Sequence, residues 1–264
     1  MKGILCPLLL ILSLTGMATA HGEALLTLTP RPGATLRVLV DRPPSPIGSV
    51  ILLAGDDGVL NLDQQGNIGS SSLSMNFLVR TRASYVRAGY AVFVPDIATD
   101  LKGTSRYRFG IPHAQDLEAV VAEARKVAPA VAVVGTSRGA ISAVDVFAKG
   151  SGPPANALVI SSGVLLDHDK WGSAGGVGSL DRIRAPVLLL RHAQDFCKVT
   201  PPGDADKFKT MLTAAPKVDV VTMTGGGPSN TFADSCGALH YHGFYGIEDQ
   251  TVAATVNWLK ANMK

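Results

Sequence analysis

The sequence predicts an α/β fold with a mostly parallel central sheet and helices on both faces, and three observations predict it. Seven short runs are apolar and rich in Val, Ile and Leu. Segments with helical periodicity lie between them. The two kinds of segment alternate along the chain, as strand–helix–strand crossovers feeding one sheet require.

The chain opens on Lys2, an apolar run from Ile4 to Leu14, and the small residues Ala18, Thr19 and Ala20. That pattern reads as a secretory signal peptide over residues 1–20, with an A-x-A cleavage site and a mature chain starting near His21. The apolar run is shorter than the roughly 20 residues that span a bilayer, so no stable membrane insertion is expected after cleavage. Cys6 leaves with the peptide. The remainder, 21–264, suits a single domain, because α/β folds reach about 250 residues around one sheet.

Strands are predicted at Leu36 to Val40, Val50 to Ala54, Ala91 to Pro95, Val131 to Val134, Ala157 to Ile160, Val187 to Leu190 and Val218 to Thr222. Continuous apolar runs of this length suit strands buried on both faces. Helical patterns cover Ser74 to Arg87, His113 to Val127, Arg138 to Ala148, Asp204 to Ala214 and Asp249 to Met263. Gly172 to Ser179 reads as a flexible surface loop. Gly225 to Gly227 reads as a plain loop, because no Lys-Ser/Thr pair follows to make a phosphate cradle.

Formal charge is +3, or +2 once Lys2 is removed, and Lys and Arg are scattered. This excludes the clustered basic surface of a nucleic-acid or anionic-membrane binder and leaves a small molecule as the expected partner. Two cysteines survive cleavage, Cys197 and Cys236. In an oxidising compartment an isolated pair is expected to form a disulfide, and no metal-ligand spacing involves them.

The predicted strand at Val131 to Val134 runs into Gly135-Thr136-Ser137-Arg138-Gly139, and a helical pattern begins at once. A sharp strand-to-helix turn strains its central residue, and side chains at the two glycines would collide with neighbouring elements. It also places the Ser137 hydroxyl at a helix N-terminus, where N–H groups and the helix dipole favour negative charge. In this context the chain resembles the α/β-hydrolase superfamily, specifically small exported bacterial serine esterases, over essentially the whole mature chain in element order.

Serine needs a base, and the base needs a carboxylate to fix its tautomer. The resemblance implies the order Ser, Asp or Glu, His. Asp195 lies a few residues beyond the strand Val187 to Leu190, where such proteins carry their acid; Asp167, Asp169 and Asp219 are rivals. His240 and His242 both precede the final helix. The stretch His242-Gly243-Phe244-Tyr245-Gly246 resembles the pattern around the base of small bacterial relatives, which favours His242 and leaves His240 a structural role. His21, His113, His168 and His192 are expected at the surface or as caps. A Cys197–Cys236 bond would tie the acid loop to the base loop.

The resemblance also implies two backbone N–H donors for a developing oxyanion. One is Arg138. The other falls in Gly55-Asp56-Asp57-Gly58, with Asp56 favoured, although this departs from the usual His-Gly start and is equally the composition of a tight turn. Phe77, Leu78 and Tyr85 are expected in the core. Lys102, Arg106, Tyr107, Arg108 and Phe109 would line a pocket, bind an acidic substrate group, or sit in an ordinary solvated loop. The segment from Ser161 to Arg184, with Trp171, is the usual cap site and is too short for a large lid. A small cap or none implies an open pocket and a small or soluble ester.

The expected function is therefore carboxylic ester hydrolysis through an acyl-enzyme, with no cofactor, in the periplasm or outside the cell. Acyl transfer or peptide cleavage by the same residues is the nearest alternative. A catalytically inactive hydrolase-fold binding protein is a third, from a different class. Ser137 argues against a dehalogenase or epoxide hydrolase, which would carry Asp at that turn.

Overall fold

A computed structural model describes residues 22–229 and 234–263. The expected signal peptide, Cys6 and His21 lie outside them. Eight strands form one sheet: β1 (Ala24–Leu28), β2 (Leu36–Asp41), β3 (Gly48–Leu53), β4 (Tyr90–Pro95), β5 (Val131–Thr136), β6 (Ala157–Ser161), β7 (Val187–His192) and β8 (Val218–Met223). Their spatial order is β1-β2-β4-β3-β5-β6-β7-β8. The β1–β2 and β2–β4 pairs are antiparallel, and every pair from β4 to β8 is parallel.

Strands β3, β4, β5 and β6 are buried along their whole length. Ile51, Phe93 and Val133 therefore pack on one face of the sheet and Val50, Val92 and Val134 on the other, at roughly 1.5–3 kcal/mol for each fully buried side chain. Strand β1, Ala-Leu-Leu-Thr-Leu, was not predicted. It is a half-exposed antiparallel edge, and its mixed pattern lacks the continuous apolar character of the buried strands.

Helices α1 (Ser71–Ser74), α2 (Phe77–Arg87), α3 (Ile111–Val127), α4 (Gly139–Lys149), α5 (Asp204–Met211) and α6 (Glu248–Asn262) connect the strands. The helix predicted from Ser74 starts at Phe77 because Asn76 is its cap: the Asn76 side chain accepts from Leu78 N, and its ψ of 141° is not helical. Helix α3 begins two residues earlier than its pattern suggested, with Pro112 in the first turn, where a missing N–H costs nothing. Residues Leu117, Val120, Ile141, Val144 and Phe208 place α3, α4 and α5 in one core layer. Phe77, Leu78, Tyr85, Val252 and Leu259 place α2 and α6 in the other.

The chain leaves β3 toward β4 on one side, and β5 lies on the other. The carboxyl ends of β3 and β5 therefore flank a topological switch point, where open α/β sheets form their crevice. Between β6 and β7 the described residues hold two short 3₁₀ turns, Gly175–Val177 and Leu180–Arg182, and no α-helical lid. The stretch read as a flexible surface loop is instead packed. Ser173, Ala174 and Val177 are buried, and the N–H groups of Ala174 and Gly175 bond to Val164 and Leu165.

Candidate active site

Ser137 follows β5 directly and precedes α4. Its φ is +52°, a left-handed conformation for a residue with a side chain, worth roughly 1–3 kcal/mol of strain. The strain is held by neighbouring backbone: Ser137 N donates to Ser161 O at 3.1 Å, and Val164 N donates to Ser137 O at 3.0 Å. Gly139 lets α4 start against β3, since a Cβ there would collide with the Leu53 carbonyl. Gly55 is required for closeness, because its Cβ would lie 2.8 Å from Ser137 Cβ. The loop after β3 thus rests directly on Ser137.

Asp195 and His242 meet beyond β7. The side chain of His242, 7% exposed, places Nδ1 at 3.0 Å from Oδ2 of Asp195, whose side chain is 1% exposed. Asp195 Oδ1 accepts from Cys197 N at 3.0 Å. Its Oδ2 also accepts from the hydroxyl of buried Thr200 at 3.0 Å, and that hydroxyl lies 3.1 Å from His242 Nδ1. With Thr200 spending its proton on Asp195, the Nδ1 proton of His242 faces two oxygens, which leaves Nε2 as the free lone pair. Among the described residues no hydrogen bond joins Ser137 Oγ to His242.

Two of the three rival carboxylates are used elsewhere, and Asp167 is exposed. Asp169 pairs with the Arg138 guanidinium. Asp219 accepts from Trp258 Nε1 at 2.6 Å and pairs with Lys217. His240 sits two residues before His242 at the entrance to a 3₁₀ turn, Tyr241–Gly243, and its buried Nδ1 has no hydrogen-bond partner among the described residues. Cys197 and Cys236 form a disulfide that closes a 39-residue separation and joins the loop of Asp195 to the segment leading to His242.

Asp56, like Ser137, is left-handed, with φ +48°. Neither Asp56 N nor Arg138 N is used in a backbone hydrogen bond among the described residues. Both residues line a cavity of about 480 Å³ whose apolar walls come from Val59, Tyr107, Phe109, Ile141 and Trp171. A larger open groove of about 760 Å³ runs along α3 and the Pro30–Pro32 turn; Ser137, Asp195 and His242 line neither the groove nor the 480 Å³ cavity, which reaches the site through Asp56 and Arg138.

Two expectations are corrected by burial. His113 and His192, expected at the surface or as caps, are 3% and 0% exposed and cap no helix. His192 has both nitrogens bonded, to Gly225 O and Gln194 N. His113 Nε2 lies 2.8 Å from Ser142 Oγ; burial first, then the Arg108 and Arg31 charges, push its pKa down to about 3. His168, exposed as expected, pairs with Asp204 at 2.5 Å. Arg106, Tyr107, Arg108 and Phe109 line the 480 Å³ cavity, but Arg108 is only 6% exposed and its guanidinium binds the loop after β3. Lys102 is paired with Asp96. The roles of Thr200 and Arg108 were not read from the sequence. Thr200 offers a weak signal, a hydroxyl five residues past a candidate acid.

No protein-family model and no curated protein matches the chain. Its structure is similar to dienelactone hydrolase from Anabaena variabilis, at TM-score 0.62 and 15% identity, covering 92% of this chain and 99% of that one. It is similar to the esterase Pf2001 of Pyrococcus furiosus, at TM-score 0.63 and 14% identity, covering 100% and 99%. It is also similar to a monoglyceride lipase from Saccharomyces cerevisiae, at TM-score 0.62 and 13% identity, covering 92% and 96%. The chain has the α/β-hydrolase fold; at these identities the likeness extends to the fold alone.

Proposed function

We propose that this α/β-hydrolase-fold protein is a serine hydrolase that cleaves small carboxylic esters, with Ser137 as nucleophile, His242 as base and Asp195 as its orienting acid. The observation that carries the reading is the hydrogen-bonded Asp195–His242 pair on the same sheet edge as a left-handed Ser137. His242 Nε2 takes the Ser137 proton as Oγ attacks the ester carbonyl. Asp195 and Thr200 hold the Nδ1 proton and stabilise the imidazolium. The oxyanion is met by the N–H groups of Arg138 and Asp56, aided by the N-terminus of α4. His242 then protonates the leaving alcohol, and water activated by the same imidazole releases the acyl group. No cofactor enters these steps. The 480 Å³ cavity beside Asp56 and Arg138, with no helical lid, favours a short or soluble acyl chain.

A second Ser–His contact competes for the assignment. Ser142 and His113 are already within hydrogen-bond distance. Three features favour Ser137 over it. Ser142 is 1% exposed; Arg108 Nη1 donates to its hydroxyl at 2.6 Å; and His113 Nδ1 has no carboxylate or other partner among the described residues. Desolvation also makes His113 a weak base. Fluorophosphonate labelling and p-nitrophenyl ester turnover decide between the two. Ser137→Ala should neither label nor turn over, while Ser142→Ala should still label. The reverse pattern would transfer the assignment.

The reading extends to export. Among the described residues no helix is long and apolar enough to cross a membrane, and the disulfide suits an oxidising compartment. Sequencing the N-terminus of the protein recovered from periplasm or medium tests it; a retained Met1 would refute cleavage.

A further inference from the structure

We infer that Arg108 is a positioning residue for the oxyanion loop, aiming and polarising the N–H groups that face Ser137; the inference rests on the Ser137 reading above. Arg108 Nη2 donates to three consecutive carbonyls, Ala54 O at 3.2 Å, Gly55 O at 3.3 Å and Asp56 O at 3.1 Å. Nη1 is fixed by Ser142 Oγ at 2.6 Å. No carboxylate pairs with this buried guanidinium among the described residues. Its positive charge is met by carbonyl dipoles.

Peptide geometry converts those contacts into an orientation. The carbonyl of Gly55 and the N–H of Asp56 belong to one planar trans unit, so they point in opposite directions. Anchoring Gly55 O on Arg108 therefore aims Asp56 N–H away from the guanidinium. The loop's other neighbour at this point is Ser137, whose Cβ is 2.8 Å from the place a Gly55 Cβ would occupy. The same relation turns Gly55 N–H away through the carbonyl of Ala54. A carbonyl that accepts from a full cation also polarises its own peptide, which strengthens the N–H as a donor. This gives the left-handed Asp56 a compensating set of charge-assisted bonds. Tyr107, the preceding residue, adds a fourth tie, from its hydroxyl to Asp57 O at 2.7 Å.

The Ser142–His113 pair then has a role other than nucleophilic attack. Ser142 Oγ accepts from Arg108 Nη1 at 2.6 Å and lies 2.8 Å from His113 Nε2, so the imidazole holds the hydroxyl against the guanidinium. Burial at the start of α3 keeps His113 neutral, so it adds no second positive charge beside Arg108. The chain of contacts runs from His113 through Ser142 to Arg108 and on to the loop. Lysine could not reproduce it, because an ammonium is a point charge without the planar fork that reaches Ser142 and the carbonyls together.

The test uses Arg108→Met and Arg108→Lys in the mature protein, with kcat and KM for p-nitrophenyl acetate and Ki for a trifluoromethyl ketone that forms a tetrahedral adduct. The expected result for Arg108→Met is a fall in kcat of about 100-fold, the loss typical of one oxyanion donor, with KM little changed. Ki should rise by a comparable factor, because the adduct shares the transition state's charge. Arg108→Lys should lose less but in the same pattern. Folded variants with wild-type kcat, or with raised KM and retained kcat, would overturn the inference. If thermal melting shows Arg108→Met unfolded, Arg108→Lys decides by the same readouts. A wild type that neither turns over ester nor labels at serine would refute the Ser137 reading and this inference with it. An active wild type with unaffected Arg108 variants would refute the positioning role alone.

Discussion

Replacing both Cys197 and Cys236 by alanine should destabilise the domain and, at lower temperature, disable the site first. The bond closes a separation of 39 residues. Chain-entropy reasoning for a loop of that length gives about 4 kcal/mol of stabilisation at 25 °C. For a domain of this size that corresponds to a fall in melting temperature of roughly 8–15 °C. The site feels the loss sooner because Cys197 N is one of the three donors on Asp195, and Cys236 lies on the segment that leads to His242. Without the bond those two loops are joined by the Asp195–His242 and Thr200–His242 contacts and by ring contacts of Tyr241 with His192 and Phe196. Calorimetry on the double variant measures the first effect, and p-nitrophenyl ester turnover at 25 °C measures the second. A melting temperature equal to wild type would refute the entropy estimate. Full turnover at 25 °C would refute the positional role even if the melting temperature falls.

Three further outcomes follow from single positions. Below pH 6.5 the unfolded chain protonates His113 while the buried residue, its pKa at about 3, stays neutral. Its contribution is thus intact above pH 6.5 and lost toward pH 3, at about 1.4 kcal/mol per pH unit; urea melts of His113→Gln should lack that slope, and identical slopes would contradict the assignment. Thr200→Val removes the hydroxyl donor on Asp195 and should lower stability by about 1–3 kcal/mol and kcat by roughly tenfold, equivalent to about 1.4 kcal/mol; unchanged kcat would leave Thr200 a packing residue. Gly55→Ala would place a methyl group 2.8 Å from Ser137 Cβ, so kcat should fall while circular dichroism is retained, and normal turnover would show that the loop can yield.

Strands buried on both faces were legible because burial demands continuous apolar runs, and β3 through β7 carry them. Strand β1 was not, because an edge strand half in water needs no such run. The start of α2 was misplaced for a local reason: Ser74 is compatible with a helix, and only the conformation of Asn76 shows where the cap lies. The surface reading of His113 and His192 failed because a polar side chain can be buried once its partners are supplied from distant elements. Those partners are Ser142, 29 residues from His113, and Gly225, 33 residues from His192.

The sequence by itself determined seven of the eight strands, the strand-to-helix turn that strains Ser137, and the chain order of Ser137, Asp195 and His242, since each rests on local periodicity or on neighbours in the chain. Only the tertiary structure decided which groups meet. His240 and His242 are two residues apart in the same segment, yet of the two only His242 bonds to Asp195, while the buried Nδ1 of His240 has no hydrogen-bond partner among the described residues. That Arg108 lines a pocket was legible, but only the fold brought the carbonyls of Ala54, Gly55 and Asp56 to it from more than fifty residues away. Hydrogen bonds between residues that far apart leave no periodic trace in a sequence, because their geometry comes from packing whole elements against one another rather than from the chain near either partner.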